Sequence, residues 1–438
     1  MTNTSRPRRA RHPVARHGQL RSPHPLTQLL TVLGVMVLVV VTSGLSVGAF
    51  TLLDTARAVS ESAVVLEQDQ PLPPTIGEIE GGANILLVGT DSCEGQDPSL
   101  SGACRGHDTE GERNDVTMLV HISDNPRRVT VVSFPRDMLV PIPSCTGPDG
   151  EQYSSMSSQM INVSYMYGGL ACTVKTVEAL TGEHIQFAAA IRWTGVINMS
   201  DAIGGVDVCV TGDIDDENTG LHLTAGTHTL QGVQALQFLR IRHGIADGSD
   251  LGRISNQQQF MSSMVRKLQG ESVLSNPQTL LSLATTAMSQ VTQGQLVLSQ
   301  SLTNPTLMVQ IAMAVKDVSY ADIVFAQYPT RYIPSDDRND VVPVYDVADE
   351  LFAALRANQA LVLTGSTSQA TGAPEVAGEA TKPAPATPAD PAATPEATDA
   401  APPAEAAPPA APAEVGVELP PSIAGTTAAQ VTCTQPQS

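Results

Sequence analysis

The chain has 438 residues, with 24 Lys+Arg against 44 Asp+Glu and a formal net charge of −20. So acidic a body lacks the basic footprint that nucleic-acid phosphates require. With 34 Gly, 32 Pro and only 3% aromatic residues, the chain cannot be one close-packed unit from end to end, and a folded domain must be joined to segments that do not fold.

Residues 1–25 hold six arginines and no acid; without those six, 18 bases face 44 acids, a balance of −26 from Leu26 onward. The next 28 residues, 26–53, carry no charged side chain. About 20 apolar residues cross a bilayer core, whereas the apolar stretch of a cleaved signal peptide is shorter, roughly 7–15 residues. An uncleaved transmembrane helix is therefore expected over 26–53. Arginines precede it and Asp54, Glu61, Glu67 and Asp69 follow it, so the positive-inside rule places 1–25 in the cytoplasm and the rest outside the cell membrane. Residues 54–81 form a stalk, and 82–363 are long enough for one large domain with its own core.

Within that domain three apolar, β-branched runs, ANILLVGTD, DVTMLVHIS and RVTVVSFPRD, have strand length, as does ADIVFAQYP over 321–329. Their near-continuous hydrophobicity suits strands covered on both faces. Helical patterns occupy 173–181, 256–269 and 276–293. Strands interleaved with helices predict an α/β fold with three layers, α/β/α. Beyond it, 364–438 repeats Ala, Pro, Thr and Glu and contains 14 of the 32 prolines; with no periodic apolar face it is expected to be a disordered tail.

Six cysteines without C-x-x-C spacing fit an oxidising compartment rather than a zinc site. Cys93 and Cys104 flank a glycine-rich loop and are expected to pair, as are Cys145 and Cys172. Cys209, inside VDVCVTG, is either a buried strand thiol or the partner of Cys433.

Charged residues gather where strands end. Asp91 follows ILLVGT, Arg113 and Asp115 precede a strand, and Arg136 and Asp137 close SFPRD. Ligands of open α/β sheets bind beyond strand ends, although aspartates and arginines also sit there merely to meet solvent or cap a helix. Further on, LRIRHGIADGSDLGRISNQ holds Arg240, Arg242, His243, Asp250, Arg253 and Gln257. Arg240 and Arg242, two apart, would point the same way on a strand, and Arg253 and Gln257 are i,i+4 neighbours on a helix. Arginines in so acidic a chain suggest an anion site, a surface salt-bridge lattice being the plainer reading. With aspartates beside them they suggest a diphosphate shared between guanidinium groups and a divalent cation, with Asp91 and Asp115 as the metal pair.

The ordered series ILLVGTD, RNDVTMLVHI, VTVVSFPRDMLVPIP, INVSYMYGG, DAIGGVDVCV, AGTHTLQGVQALQFLRIRH and DLGRISNQQQ resembles the core of the LytR-CpsA-Psr (LCP) family of bacterial envelope proteins. The resemblance runs from about residue 83 to 259, more loosely to 355. It implies an LCP-type domain with a central mixed sheet. It also implies a phosphotransferase that takes a glycopolymer from a polyprenyl-pyrophosphate carrier and joins it to peptidoglycan through a phosphodiester. By motif match Asp91 and Asp115 would hold Mg2+ (or Mn2+), while Arg136, Arg240, Arg242 and Arg253 would clamp phosphate oxygens. Asp250 and Gln257 would complete the polar rim, and Arg113 would stand behind Asp115. The helices between 173 and 293 would line a groove for the polyprenyl chain. The family commonly has lysine before the Ile-Asn pair, where this chain has Met160, one positive charge fewer at the rim. Asp115 and Asp250 are candidates for the general base; His243 is set aside as structural. Two other functions compete: a pyrophosphatase acting on polyprenyl-pyrophosphate lipids, and a non-catalytic binder of lipid-linked glycopolymer. Transcriptional regulation is excluded, since only the arginine tail could reach DNA.

Overall fold

The computed structural model describes residues 63–66, 82–101, 104, 111–245, 248–270, 273, 276–333, 340–365, 375–380, 382 and 416–437, with Leu26, Leu30, Leu33, Val35 and Met36 nearer the start. The chain divides into two compact units, Met1–Arg57 and Ala58–Ser438. In the first, the described positions are helical. Among the described residues no helix is long and apolar enough to cross a membrane; most of the expected span 26–53 lies outside the described residues.

In the second unit the elements, in chain order, begin with strands β1 (Ala83–Thr90), β2 (Asn114–Ile122) and β3 (Val129–Phe134). Helix α1 (Ser164–Thr181), β4 (Phe187–Ile191), α2 (Trp193–Ala202), β5 (Val206–Val210) and β6 (Gly226–Leu230) follow. Then come α3 (Gly232–Arg240), α4 (Asp250–Gly270), α5 (Pro277–Thr292), β7 (Leu296–Leu298), α6 (Pro305–Ala314) and β8 (Ile323–Gln327). The last are α7 (Tyr345–Arg356), β9 (Glu375–Glu379), β10 (Gly425–Thr427) and β11 (Gln430–Thr434). A seven-stranded sheet has the order β7-β4-β1-β2-β3-β8-β10, and a four-stranded sheet the order β6-β5-β11-β9.

The central sheet is mixed, as expected: β1 runs antiparallel to β2 and parallel to β4, and β3 runs parallel to β8. Side chains of a strand alternate between faces. Leu86 and Val88 therefore join one core, with Val174 and Val177 of α1 and Leu351 and Phe352 of α7. Ile85 and Leu87 face the other, with Met288 and Val291 of α5 and Leu307 of α6. The result is the three-layer α/β/α arrangement. A third core fills the space between the smaller sheet, α3 and Phe260 of α4.

Helix α1 begins at Ser164, nine residues before the periodic pattern suggested. It is kinked just after its first turn, at Gly168 and Gly169, the latter at φ +60°. A Cβ on Gly168 would lie 2.5 Å from Cys172 Cβ and 2.9 Å from Cys145 Cβ, so only glycine fits against that disulfide. All three pairs form: Cys93–Cys104, Cys145–Cys172 and Cys209–Cys433. The open alternative for Cys209 thus resolves in favour of the long bridge.

Two expected boundaries are corrected. Within the stalk, Val64 donates its N–H to the Leu298 carbonyl at 2.8 Å and Leu66 is buried in the core, so this apolar stretch belongs to the domain. The end of the expected disordered tail is ordered. Val417–Leu419 pairs with Leu361–Leu363, β10 closes the large sheet and β11 enters the small one. The physical reason is local composition: 416–434 contains the β-branched runs and cysteine that an average over the whole tail conceals. The Ala/Pro repeat over 383–415 lies outside the described residues.

Candidate active site

The charged residues meet at one edge of the central sheet. Asp91 follows the C-terminal end of β1 and Arg136 follows that of β3; Asp115 lies at the start of the antiparallel β2, hence at the same edge. The β1–β2 ladder passes from Gly89↔Val116 to Thr90↔Asn114, leaving Asp115 as the extra residue of a bulge. Such a bulge re-aims a side chain at a strand end. Asn114, fully buried, donates to Thr117 Oγ1 at 2.8 Å and accepts from the Tyr165 N–H at 3.3 Å, which fixes the strand start against α1.

Asp250 is the hub of the ion-pair cluster. Its Oδ1 lies 2.6 Å from Arg253 Nη2, 3.1 Å from Arg242 Nη2 and 4.0 Å from Arg136 Nε. Its Oδ2 accepts the Arg136 backbone N–H at 3.0 Å. Asp115 Oδ1 pairs with Arg136 Nη1 at 2.6 Å, and Arg253 Nη2 donates to the Asp115 carbonyl at 2.7 Å. Burial acts to push the Asp115 carboxyl up, but the guanidinium groups of Arg253, Arg136 and Arg242 outweigh it and hold the carboxyl below its usual range. A carboxyl held low in this way makes Asp115 a poor proton acceptor, which counts against it as the general base. Burial and the charges of Arg253 and Arg136 oppose the positive charge on Arg242, the electrostatic condition for drawing in an anion.

Arg240 and Arg242 do not lie on a strand. Arg240 ends α3 and the buried Ile241 is extended, so the two arginines flank it on their way into the site. The C-terminal carbonyls of α3 are capped from α4, Asn256 Nδ2 donating to Phe238 O at 2.6 Å and Gln257 Nε2 to Leu239 O at 3.0 Å. Capping these otherwise unpaired carbonyls fixes the helix end that carries Arg240. Gln257 therefore braces the site as well as lining it.

A cavity of about 660 Å³ opens from this cluster between the sheet and helices α2 to α5. Asp115, Arg136, Arg240, Arg242 and Arg253 line its charged part, and Val116, Met118, Met199, Leu239, Phe260 and Met264 its apolar part. Helix α1, on the opposite layer, takes no part.

Asp91 stands beside the cluster. Its Oδ1 accepts the Arg113 N–H at 2.7 Å and its own N–H donates to Arg113 O at 3.1 Å. Arg113 thus braces Asp91 rather than Asp115. Burial, then the charge of Asp115, pushes the Asp91 carboxyl upward. Two carboxylates repelling one another fit a divalent cation. Among the described residues no group of three or more His, Cys, Asp or Glu could hold a metal ion by itself.

Asp137, expected only as a strand-end charge beside Arg136, lies 3.2 Å from Arg136 Nε and 3.7 Å from Arg242 Nη2. Two participants were not anticipated. Glu112 grips Arg192 through two contacts of 3.0 and 2.7 Å and accepts from Thr90 Oγ1, a pairing across 80 residues that no motif announces. Trp193 lies under Arg240, its ring centroid 4.1 Å from the guanidinium carbon.

A profile of the LytR_cpsA_psr family matches residues 49–360. The chain belongs to this family. Over 225 residues, 47% of its length, this LytR-CpsA-Psr protein is 31% identical to the cell wall biosynthesis protein LcpA of Corynebacterium glutamicum and covers 43% of it. It is 29% identical over 245 residues to the polyisoprenyl-teichoic acid–peptidoglycan teichoic acid transferase TagT of Bacillus subtilis, covering 54% of this chain and 69% of that one. The match thus spans about half, or less, of the Corynebacterium relatives. A solved LytR-Csp2A-Psr enzyme from Actinomyces oris matches 67% of this chain and 94% of its own, with 23% identity and a TM-score of 0.47.

Proposed function

We propose that the protein is a membrane-anchored phosphotransferase that moves a glycopolymer from a polyprenyl-pyrophosphate carrier to peptidoglycan. The observation that carries this reading is the join between an apolar groove and an arginine cluster. A long isoprenoid requires the first and a diphosphate the second, and a soluble phosphate ester would need only the second. The names of LcpA and TagT support wall assembly and polymer transfer as the setting.

In the reaction, the acceptor hydroxyl oxygen bonds to the phosphorus carrying the glycan, the bond from that phosphorus to the polyprenyl phosphate breaks with its electron pair leaving on the polyprenyl phosphate, and the hydroxyl proton passes to solvent. Negative charge grows on the transferred and departing groups. Arg136, Arg242 and Arg253, already held by Asp115 and Asp250, would meet it without reorganising, the source of electrostatic preorganisation. Arg240 would bind the diphosphate from the groove side. Asp91 and Asp115 would hold a magnesium or manganese ion, which when bound neutralises phosphate oxygens. The apolar walls would exclude water from the bond being broken.

The test is a reconstituted assay in which full-length protein receives lipid-linked polymer and peptidoglycan. Glycan attached to peptidoglycan is the expected product, with Arg240→Ala and Asp91→Ala each reducing its formation at least about 100-fold. Release of polyprenyl phosphate without attachment would indicate a pyrophosphatase, and donor retention without either product a binding protein.

A further inference from the structure

Arg240 differs from the other arginines of the site in what holds it. Arg136, Arg242 and Arg253 each pair with an aspartate, which spends part of their charge inside the protein. Among the described residues Arg240 makes no salt bridge, and Asp115, Asp91 and Asp216 act on its charge only from beyond ion-pair distance. It donates to the Leu100 carbonyl at 2.7 Å and lies over the Trp193 ring at 4.1 Å. A carbonyl dipole and a ring quadrupole orient a guanidinium without cancelling its positive charge.

Both supports are themselves fixed. Leu100 ends a short turn in the loop closed by Cys93–Cys104. Gln96 of the same loop accepts the Thr194 N–H at 2.9 Å and donates to Gln295 at 2.6 Å, tying the loop to the start of α2. Trp193 is the first residue of α2, 7% exposed, and lines the groove with Val196 and Met199 of the same helix. It therefore touches the charged and the apolar parts of the cavity at once.

We propose that Trp193 is a positioning residue that presents Arg240, free of any direct carboxylate pair among the described residues, to the diphosphate where the isoprenoid begins, and so selects pyrophosphate-bearing chains over uncharged isoprenoids. The inference rests on the reading of the groove as a polyprenyl-pyrophosphate site. It names a residue outside the arginine–aspartate cluster, and one whose aromatic face rather than bulk matters.

Trp193 is the only tryptophan of the chain, so its emission reports on the site alone. Full-length protein in detergent is titrated with geranylgeranyl pyrophosphate and, separately, with geranylgeraniol, followed by calorimetry and by tryptophan emission. Saturable pyrophosphate binding with a change in emission is expected for the unaltered protein. Trp193→Leu, which keeps apolar bulk, is expected to weaken pyrophosphate binding about tenfold and to leave geranylgeraniol within twofold. Trp193→Phe, which keeps an aromatic face, is expected to stay within about threefold for both. Equal pyrophosphate affinity in the Leu and Phe variants, or a parallel loss of both ligands in the Leu variant, would overturn the proposal while leaving the groove reading intact. Failure of the unaltered protein to bind pyrophosphate would overturn both. Should Trp193→Leu not fold, Arg240→Lys decides: it keeps the charge but loses the planar stack, and unchanged pyrophosphate affinity would sink the idea.

Discussion

Asp250 shows how much one side chain can carry. A single carboxylate touches Arg242 and Arg253 and reaches Arg136 through both side chain and backbone. Asp250→Asn leaves those guanidinium groups facing one another with one negative charge fewer. Stability is expected to fall by about 2–4 kcal/mol, measured by urea unfolding, and transfer activity by at least about 100-fold. His121 carries a different prediction. It is 4% exposed with Nδ1 against Asn84 Oδ1 at 2.8 Å, and burial lowers its pKa from 6.5 to about 4. Between those values the folded state binds fewer protons than the unfolded chain. Its contribution is therefore complete above about pH 6.5 and lost as pH falls toward 4, at up to about 1.4 kcal/mol per pH unit. Thermal melts across that window should give a shallower pH slope for His121→Asn than for the unaltered protein. The arginines of the site were legible because bases are outnumbered by acids in this chain and three of these four fall close together, over 240–253. Trp193 was not, because an aromatic side chain among apolar residues carries no sign of the cation it will meet.

At the scale of elements, the four long strands were legible because they are buried on both faces and their apolar runs are almost unbroken. The end of the chain was not. Strand β11 meets β5 at only two register positions, Cys433↔Cys209 and Thr434↔Val210, a short pairing that only the assembled fold stabilises. Yet Thr434 bonds both Asn256 and Gln259 of α4, and Gln437 bonds Gly244 in the loop beyond Arg242. The last residues thus brace the helix and loop that hold half of the site. Their disulfide joins residues 224 apart, and closing so long a loop restricts the unfolded chain strongly. Cys433→Ser is expected to cost about 2–5 kcal/mol in denaturant unfolding, with activity at low temperature falling because the Arg242 loop loses its brace. Full activity and unchanged stability would show that the strap is ornamental.

For the whole molecule, a net charge of −20 opposes the approach of any polyanion, and attraction must come from within a Debye length of the arginines, about 8–10 Å at moderate salt. A lipid tail in the apolar groove, as proposed, would supply binding free energy that the field of the chain does not oppose. The central claim is therefore about where one molecule lies. A crystal structure of the protein with geranylgeranyl pyrophosphate tests it most directly. The isoprenoid is expected along Leu239, Phe260 and Met264, with the diphosphate between Arg240 and Arg136. An isoprenoid bound elsewhere, or a diphosphate away from these arginines, would contradict the account.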